Sequence, residues 1–182
     1  GAEVYIVHTS CADAVQAALA GSARGVGVHI EVVAPHLVLD RTFAEKPGFE
    51  GAKYIMSPPL REHRHVEALW AHLARGDISC IATDHAPFDF ETQKSMGRAD
   101  FRKIPNGIPS VEHRVNLLWN FGVRTGRISI NRFVSTLSTN AARIFGLKGK
   151  GTIAVGADAD LVIFDPDHRH TDGFAGFVFG LA

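Results

Sequence analysis

Four polar positions stand out, two that close apolar runs and two set among prolines. His8 follows the short continuous apolar run of residues 4–7 directly. A neutral imidazole there could bind a zinc ion, or hydrogen-bond within a packed strand end. Asp84 lies in Thr83-Asp84-His85, immediately after the apolar run 78–82. A carboxylate in such a place is costly to leave unpaired. It calls for a metal ion, another cation or strong donors, and it could serve as a general base. His85 would point to the opposite side if the extended geometry continued, so it reads as a structural group or one that orients a neighbour. Ser57, in Met-Ser-Pro-Pro-Leu-Arg, and Asn106, in Ile-Pro-Asn-Gly-Ile-Pro, sit where prolines fix the backbone. Such segments either present N–H and C=O groups to a flat amide or are tight turns.

The remaining histidines carry less. His36 reads as structural. His63, His65 and His72 fall on a helix among charged neighbours and read as a solvated face, while His113, His168 and His170 have no supporting context. No Gly-rich phosphate loop and no G-x-S-x-G elbow is present. Both cysteines, Cys11 and Cys80, lie in or beside apolar segments, which argues against a cysteine nucleophile.

The elements that must position these groups follow from periodicity. Runs 4–7, 28–33 and 78–82 have the continuous apolar texture of strands buried on both faces of a parallel sheet. Between them, residues 11–23 carry Val15, Ala18 and Leu19 at helical spacing with Ser10 as the expected N-cap. Residues 63–75 carry Val66, Leu69, Trp70 and Leu73, with Gly76 as the stop. Residues 40–54 and 86–108 read as irregular. Residues 111–121, 131–137 and 140–145 read as helical. After Gly146 the glycine spacing and the alternation around Asp160 to Phe164 predict short antiparallel strands. A boundary near 147 therefore separates a unit over 1–147 from a smaller segment over 148–182. Strand, helix, strand, helix, strand is the order of parallel β/α units, and chemistry in such folds collects at the C-terminal strand ends. His8, the Ala34-Pro35-His36 cluster and Asp84 all fall there.

Composition bounds the remaining options. Lysine plus arginine and aspartate plus glutamate number 19 each, so no electrostatic footprint for nucleic acid or an anionic membrane exists. No stretch approaches the roughly 18 apolar residues of a membrane helix, and the N-terminus lacks a signal-peptide layout. Two well-separated cysteines outside any CxxC pattern fit a reducing, cytoplasmic setting. A chain that opens inside a buried strand is expected to be part of a longer one.

Six motifs occur in order: Val-His-Thr-Ser (7–10), Met-Ser-Pro-Pro-Leu-Arg (56–61), Ala-Thr-Asp-His-Ala-Pro-Phe (82–88), Ile-Pro-Asn-Gly-Ile-Pro-Ser-Val-Glu (104–112), Ser-Thr-Asn-Ala-Ala-Arg-Ile-Phe-Gly-Leu (138–147) and Lys-Gly-Thr-Ile-Ala-Val-Gly-Ala-Asp-Ala-Asp-Leu-Val-Ile-Phe-Asp-Pro (150–166). As a set they resemble the C-terminal half of the cyclic amidohydrolases of the dihydropyrimidinase/hydantoinase type. The Gly-Ala-Asp-Ala-Asp-Leu-Val segment alone marks only the broader amidohydrolase superfamily. The resemblance implies an α/β fold: the C-terminal portion of a (β/α)8 TIM-like barrel, about three of its eight strands, plus part of a small β-sandwich. It implies a binuclear zinc centre with His8 and Asp84 among its ligands. It also implies Asp84 as the proton-transferring group, and Ser57 and Asn106 as backbone partners of a cyclic amide. The reaction would be ring opening of a dihydropyrimidine or hydantoin to an N-carbamoyl amino acid, by water that the metal acidifies, in a homo-oligomer.

The chain departs from the family in three respects. The remaining metal ligands of such enzymes would precede this chain, so the chain is expected to be inactive alone. The segment 31–40 places its proline and histidine one position off the family pattern, and the tail from 168 to 182 no longer resembles it. Two other readings remain: an allantoinase- or dihydroorotase-like enzyme, whose more polar substrates would need partners in loops not seen here, and a non-catalytic dihydropyrimidinase-related assembly protein. Retention of both His8 and Asp84 argues against the last.

Overall fold

A computed structural model describes residues 2–167 of the 182-residue chain. Three strands form one parallel sheet in the order β1-β2-β3: β1 is Glu3–Ile6, β2 is Gly27–Val33 and β3 is Cys80–Ala82. Glu3 pairs with Gly27 and Ile6 with Ile30 on one side, and Glu31 with Cys80 and Val33 with Ala82 on the other. Two-sided burial, expected for all three runs, holds for the central strand, where Ile30, Val32 and Val33 are buried, but not for the first, where Val4 and Val7 stand 43% and 49% exposed because β1 has a neighbour on one side only among the described residues. Ser79 prolongs the pairing, its N–H donating to the Ile30 carbonyl and its Oγ accepting from the Ile30 N–H.

Helices cover the sheet because their apolar stripes demand it. Helix α1, Ala12–Ala23, buries Val15 and Ala18. Its expected cap differs: Cys11 occupies the N-cap without a side-chain bond, and Ser10 Oγ instead accepts from Arg61 Nε at 3.1 Å. The free Ala12 N–H at the helix start donates to His65 Nδ1, 3.2 Å away, so a histidine from another helix satisfies an orphan donor.

Past β2 come two short helices, α2 (Ala34–Val38) and α3 (Arg41–Ala44), and a 3-10 turn over Glu50–Tyr54. Helix α4 spans His63–Arg75 and is stopped by Gly76 in the left-handed conformation, whose N–H reaches the carbonyls of His72 and Leu73. Its Leu69 and Leu73 are fully buried, and the Trp70 indole N–H donates to the Leu37 carbonyl at 2.7 Å. The solvated face expected for His63, His65 and His72 holds only for His63. His65 and His72 are buried, the latter 2.8 Å from Asp77. Their polar neighbours in sequence concealed that both lie next to the apolar stripe.

After a long irregular segment, α5 (Arg114–Leu118) runs on into a π-helical turn over Trp119–Val123. Helices α6 (Ile130–Val134) and α7 (Asn140–Ile144) are joined through a second π turn, Ser135–Thr139. Asn140 Nδ2 donates to the Ser79 carbonyl at 2.8 Å and ties this last rod to the sheet. Thr136 and Phe133 line its inner side, Trp119 of the first π turn meets Phe133 edge-on, and Phe164 from the following segment packs edge-on 5.2 Å from the Trp119 ring.

The antiparallel strands expected after Gly146 do not form among the described residues. Ile153, Val162 and Ile163, which carry the apolar alternation, stand 85–99% exposed. An isolated ribbon with no face to bury against is marginal at best, which accounts for the difference. The expected change in the tail from 168 to 182 lies outside the described residues. No described helix is long and apolar enough to cross a membrane.

Candidate functional site

The C-terminal ends of the three strands point to one side of the sheet, as parallel pairing requires. His8 lies two residues beyond β1 and is half-buried. Asp84 lies two residues beyond β3 and is exposed. Both are non-glycine residues with positive φ, 38° and 46°, a conformation shared among described non-glycine residues only with Phe49. Backbone held in this region costs energy, persists only where surrounding contacts enforce it, and concentrates at functional sites.

The contacts that enforce it at His8 come from Glu31. The Glu31 carboxylate accepts from the His8 N–H at 3.1 Å through one oxygen and from the Tyr5 hydroxyl at 2.8 Å through the other. The Glu31 carbonyl takes the Thr9 N–H at 2.8 Å. One residue of the central strand thus fastens the whole turn that carries the imidazole. Burial, with the Glu31 bond adding to it, pushes the Tyr5 hydroxyl far above its usual range, so it stays a donor at any physiological pH.

His36, in α2 at the end of β2, is 2% exposed. Its Nε2 lies 3.0 Å from the Pro58 carbonyl and must donate to it. Burial pushes this imidazole down to about 4, with Arg61 and His8 opposing and Asp84 favouring its charge. The ring is therefore neutral near pH 7, with a proton on Nε2 and a lone pair on Nδ1, and that Nδ1 is buried without a partner. It lies within electrostatic range of both His8 and Asp84.

Ser57 and Asn106 come from segments 49 residues apart, yet Ser57 Oγ lies 3.4 Å from Asn106 Oδ1. Both side chains are exposed. The Ser57–Pro58 peptide is cis, and the Pro58 carbonyl is the one that holds His36. The Gly107 N–H donates to the Ile55 carbonyl at 3.0 Å, and a buried lysine, Lys94, donates to the carbonyls of both Ile55 and Gly107. His85 turns away from this surface: its Nδ1 accepts from the N–H groups of Ser110 and Val111 at 3.1 and 3.2 Å, at the turn leading into α5.

Sequence reasoning picked out His8, Asp84, Ser57 and Asn106 but not the groups behind them. Glu31 was detectable in principle, as a carboxylate inside an apolar strand. Lys94 was not, since a lysine in an irregular segment resembles any surface lysine. An imidazole and a carboxylate are donors that a zinc-like ion accepts, and the unpartnered His36 Nδ1 nearby is a group that a bound polar species would satisfy. The residues therefore fit a metal as part of its ligand set. Among the described residues no group of three or more His, Cys, Asp or Glu side chains comes together to hold one.

Known proteins are similar to this chain over most of its length. The sequence profile of the amidohydrolase family matches residues 7–180. A D-hydantoinase from Geobacillus stearothermophilus is 53% identical over 167 residues, which are 91% of this chain and 36% of that protein. A D-hydantoinase from Rhizobium radiobacter is 42% identical over the same span. Among solved structures, a D-hydantoinase (dihydropyrimidinase) from Thermus sp. superposes with a TM-score of 0.90 at 56% identity, over 94% of this chain and 38% of that one. An L-hydantoinase (dihydropyrimidinase) from Arthrobacter aurescens does so with a TM-score of 0.78 at 30% identity. The chain spans about a third of the length of these relatives. A family match over residues 7–180, with a superposition at a TM-score of 0.90 over 94% of the chain, establishes that the chain belongs to the amidohydrolase family.

Proposed function

We propose that this chain is part of a zinc-dependent hydrolase that opens the rings of cyclic amides, with dihydropyrimidines and hydantoins as the substrate class. The observation that carries the reading is the pair His8 and Asp84. They close separate parallel strands, are both held in left-handed backbone, and both lie within electrostatic range of a neutral buried imidazole. The names borne by the similar proteins support the substrate class.

In this reading His8 and Asp84 contribute to holding the metal, which when bound supplies Lewis acidity and lowers the pKa of water. The exposed Asp84 carboxylate takes a proton from the attacking water and returns it to the departing ring nitrogen. The backbone groups at Ser57 and Asn106 hold the flat amide edge. His36, neutral and donating to Pro58, keeps the Ser57 loop in place without adding charge. Residues 1–147 belong to part of a (β/α)8 barrel, the segment that follows residue 147 belongs with a small β-sandwich that other strands would complete, and the assembly is a homo-oligomer. The parallel sheet supports the barrel, and the uncovered apolar residues at 153, 162 and 163 support a missing sandwich face. Free thiols at Cys11 and Cys80 fit a cytoplasmic protein.

Zinc content after loading and dialysis, followed by ring opening of dihydrouracil and hydantoin, tests the reading. Bound zinc should fall in His8→Ala and in Asp84→Ala, and in the intact enzyme Asp84→Asn should abolish formation of the N-carbamoyl product with its melting transition intact. Zinc retained by the double alanine variant would remove the ligand assignment. Undiminished turnover in Asp84→Asn would remove the proton-transfer role.

A further inference from the structure

Lys94 is 2% exposed, in the 3-10 turn Lys94–Gly97. Lysine is almost never buried this far unless it is paired. Yet no carboxylate neutralises this ammonium among the described residues, and uncompensated burial pushes it down to about 8. What it meets instead is two carbonyls, Ile55 and Gly107, each at 2.8 Å, with the Phe88 ring 5.8 Å away.

Those carbonyls are placed with purpose. Ile55 lies two residues before Ser57, and Gly107 directly follows Asn106. The Ile55 carbonyl also accepts the Gly107 N–H at 3.0 Å, so lysine, Ile55 and Gly107 close a small ring of bonds joining the two segments. Gly107 has φ +144°, and a Cβ there would collide with Ala86. The second segment is therefore backed directly by the strand-end segment that follows Asp84.

We propose that Lys94 is a positioning residue for the cyclic amide. Its ammonium fixes the spacing between the Ser57 and Asn106 segments, so that backbone groups of both meet one small planar ring. The spacing, and with it the ring that is accepted, is then set from behind by one cation. Neither exposed loop could hold it alone. This rests on the assignment of Ser57 and Asn106 to the substrate under the proposed function.

Isotope-labelled protein titrated with dihydrouracil tests it, with Ser57 and Asn106 amide shifts as the binding signal and Gly107 amide exchange as the signal for the clamp. Lys94→Met, unbranched like lysine but one atom shorter and without a donor, should weaken binding by about tenfold or more and speed Gly107 exchange, with cooperative melting kept. Lys94→Ala should lose binding likewise and regain it when propylammonium, the deleted part of the side chain, is added. That rescue separates positioning from general loss of structure, and serves also if the methionine variant fails to fold. Binding by Lys94→Met equal to the unaltered protein would overturn the proposal, as would Gly107 exchange indifferent to the substitution. If exchange responds but the unaltered protein shows no shift at either amide, it is the cyclic-amide reading that fails, and the substrate role of Lys94 fails with it.

Discussion

At the scale of single residues, the site is built from groups whose charge or backbone is held away from its ordinary state. His36 is the clearest case, because its imidazole is pushed by burial from 6.5 down to about 4. An unfolded chain takes up this proton below pH 6.5 while the folded one refuses it until about pH 4. Stability from this group is therefore complete above pH 6.5 and is lost as pH falls through that window. Between pH 7 and pH 5 the loss should come to about 2 kcal/mol. Urea unfolding at the two pH values checks it against His36→Gln, in which an amide can keep the Pro58 bond but cannot titrate. An equal acid loss in both proteins would assign the effect elsewhere. His36, Glu31 and Lys94 were also the residues least legible in the sequence. Their roles depend on partners 13 to 39 positions away, and nothing in local spacing encodes such a partner.

At the scale of elements, the apolar patterns were informative where burial is two-sided or strongly periodic. The three strands and α4 lie where continuous runs and the i, i+3, i+4, i+7 stripe put them, and Gly76 ends α4 as its position suggested. The same patterns misled where the partner is missing from the local sequence. Ser10 has the chemistry of a cap but is engaged by Arg61, and the alternation around residue 162 makes no strand because no second strand pairs with it among the described residues. Leu69 of α4 is fully buried between helix and sheet, so Leu69→Ala should cost about 2–5 kcal/mol through lost burial and the cavity left behind. Leu147→Ala, at a half-exposed position, should change stability by less than about 0.5 kcal/mol. Chemical denaturation midpoints of the two variants make the comparison. Equal midpoints would mean that α4 does not anchor the core.

At the scale of the whole molecule, β1 and β3 each pair only with β2 among the described residues; the carbonyls of Ser79, Ile81 and Thr83 along β3 already accept from Asn140, Arg114 and Ser110, so it is chiefly the β1 edge that can pair with another chain. Phe101 at 79% exposure and the apolar residues at 153, 162 and 163 add uncovered surface. Concentration-dependent self-association is expected, visible in sedimentation velocity and reduced by charged substitution at Val162 and Ile163. A particle of one chain's mass at all concentrations would show that this edge and these patches are inert. The parallel order and the strand-end site were readable because they repeat a pattern of runs and polar stops. What covers the edges was not, since a sequence reports only its own half of an interface.

The aromatic cluster that receives Phe164 has a spectroscopic consequence. The chain carries two tryptophans, one buried on the inner face of α4 at Trp70 and the other, Trp119, clustered with Phe133 and Phe164. Their emission reports on different events: Trp70 on opening of the helix-sheet core, Trp119 on whether the segment beyond residue 147 is seated. A chain with phenylalanine at position 70 would therefore carry a native optical gauge for that segment alone, with no label attached.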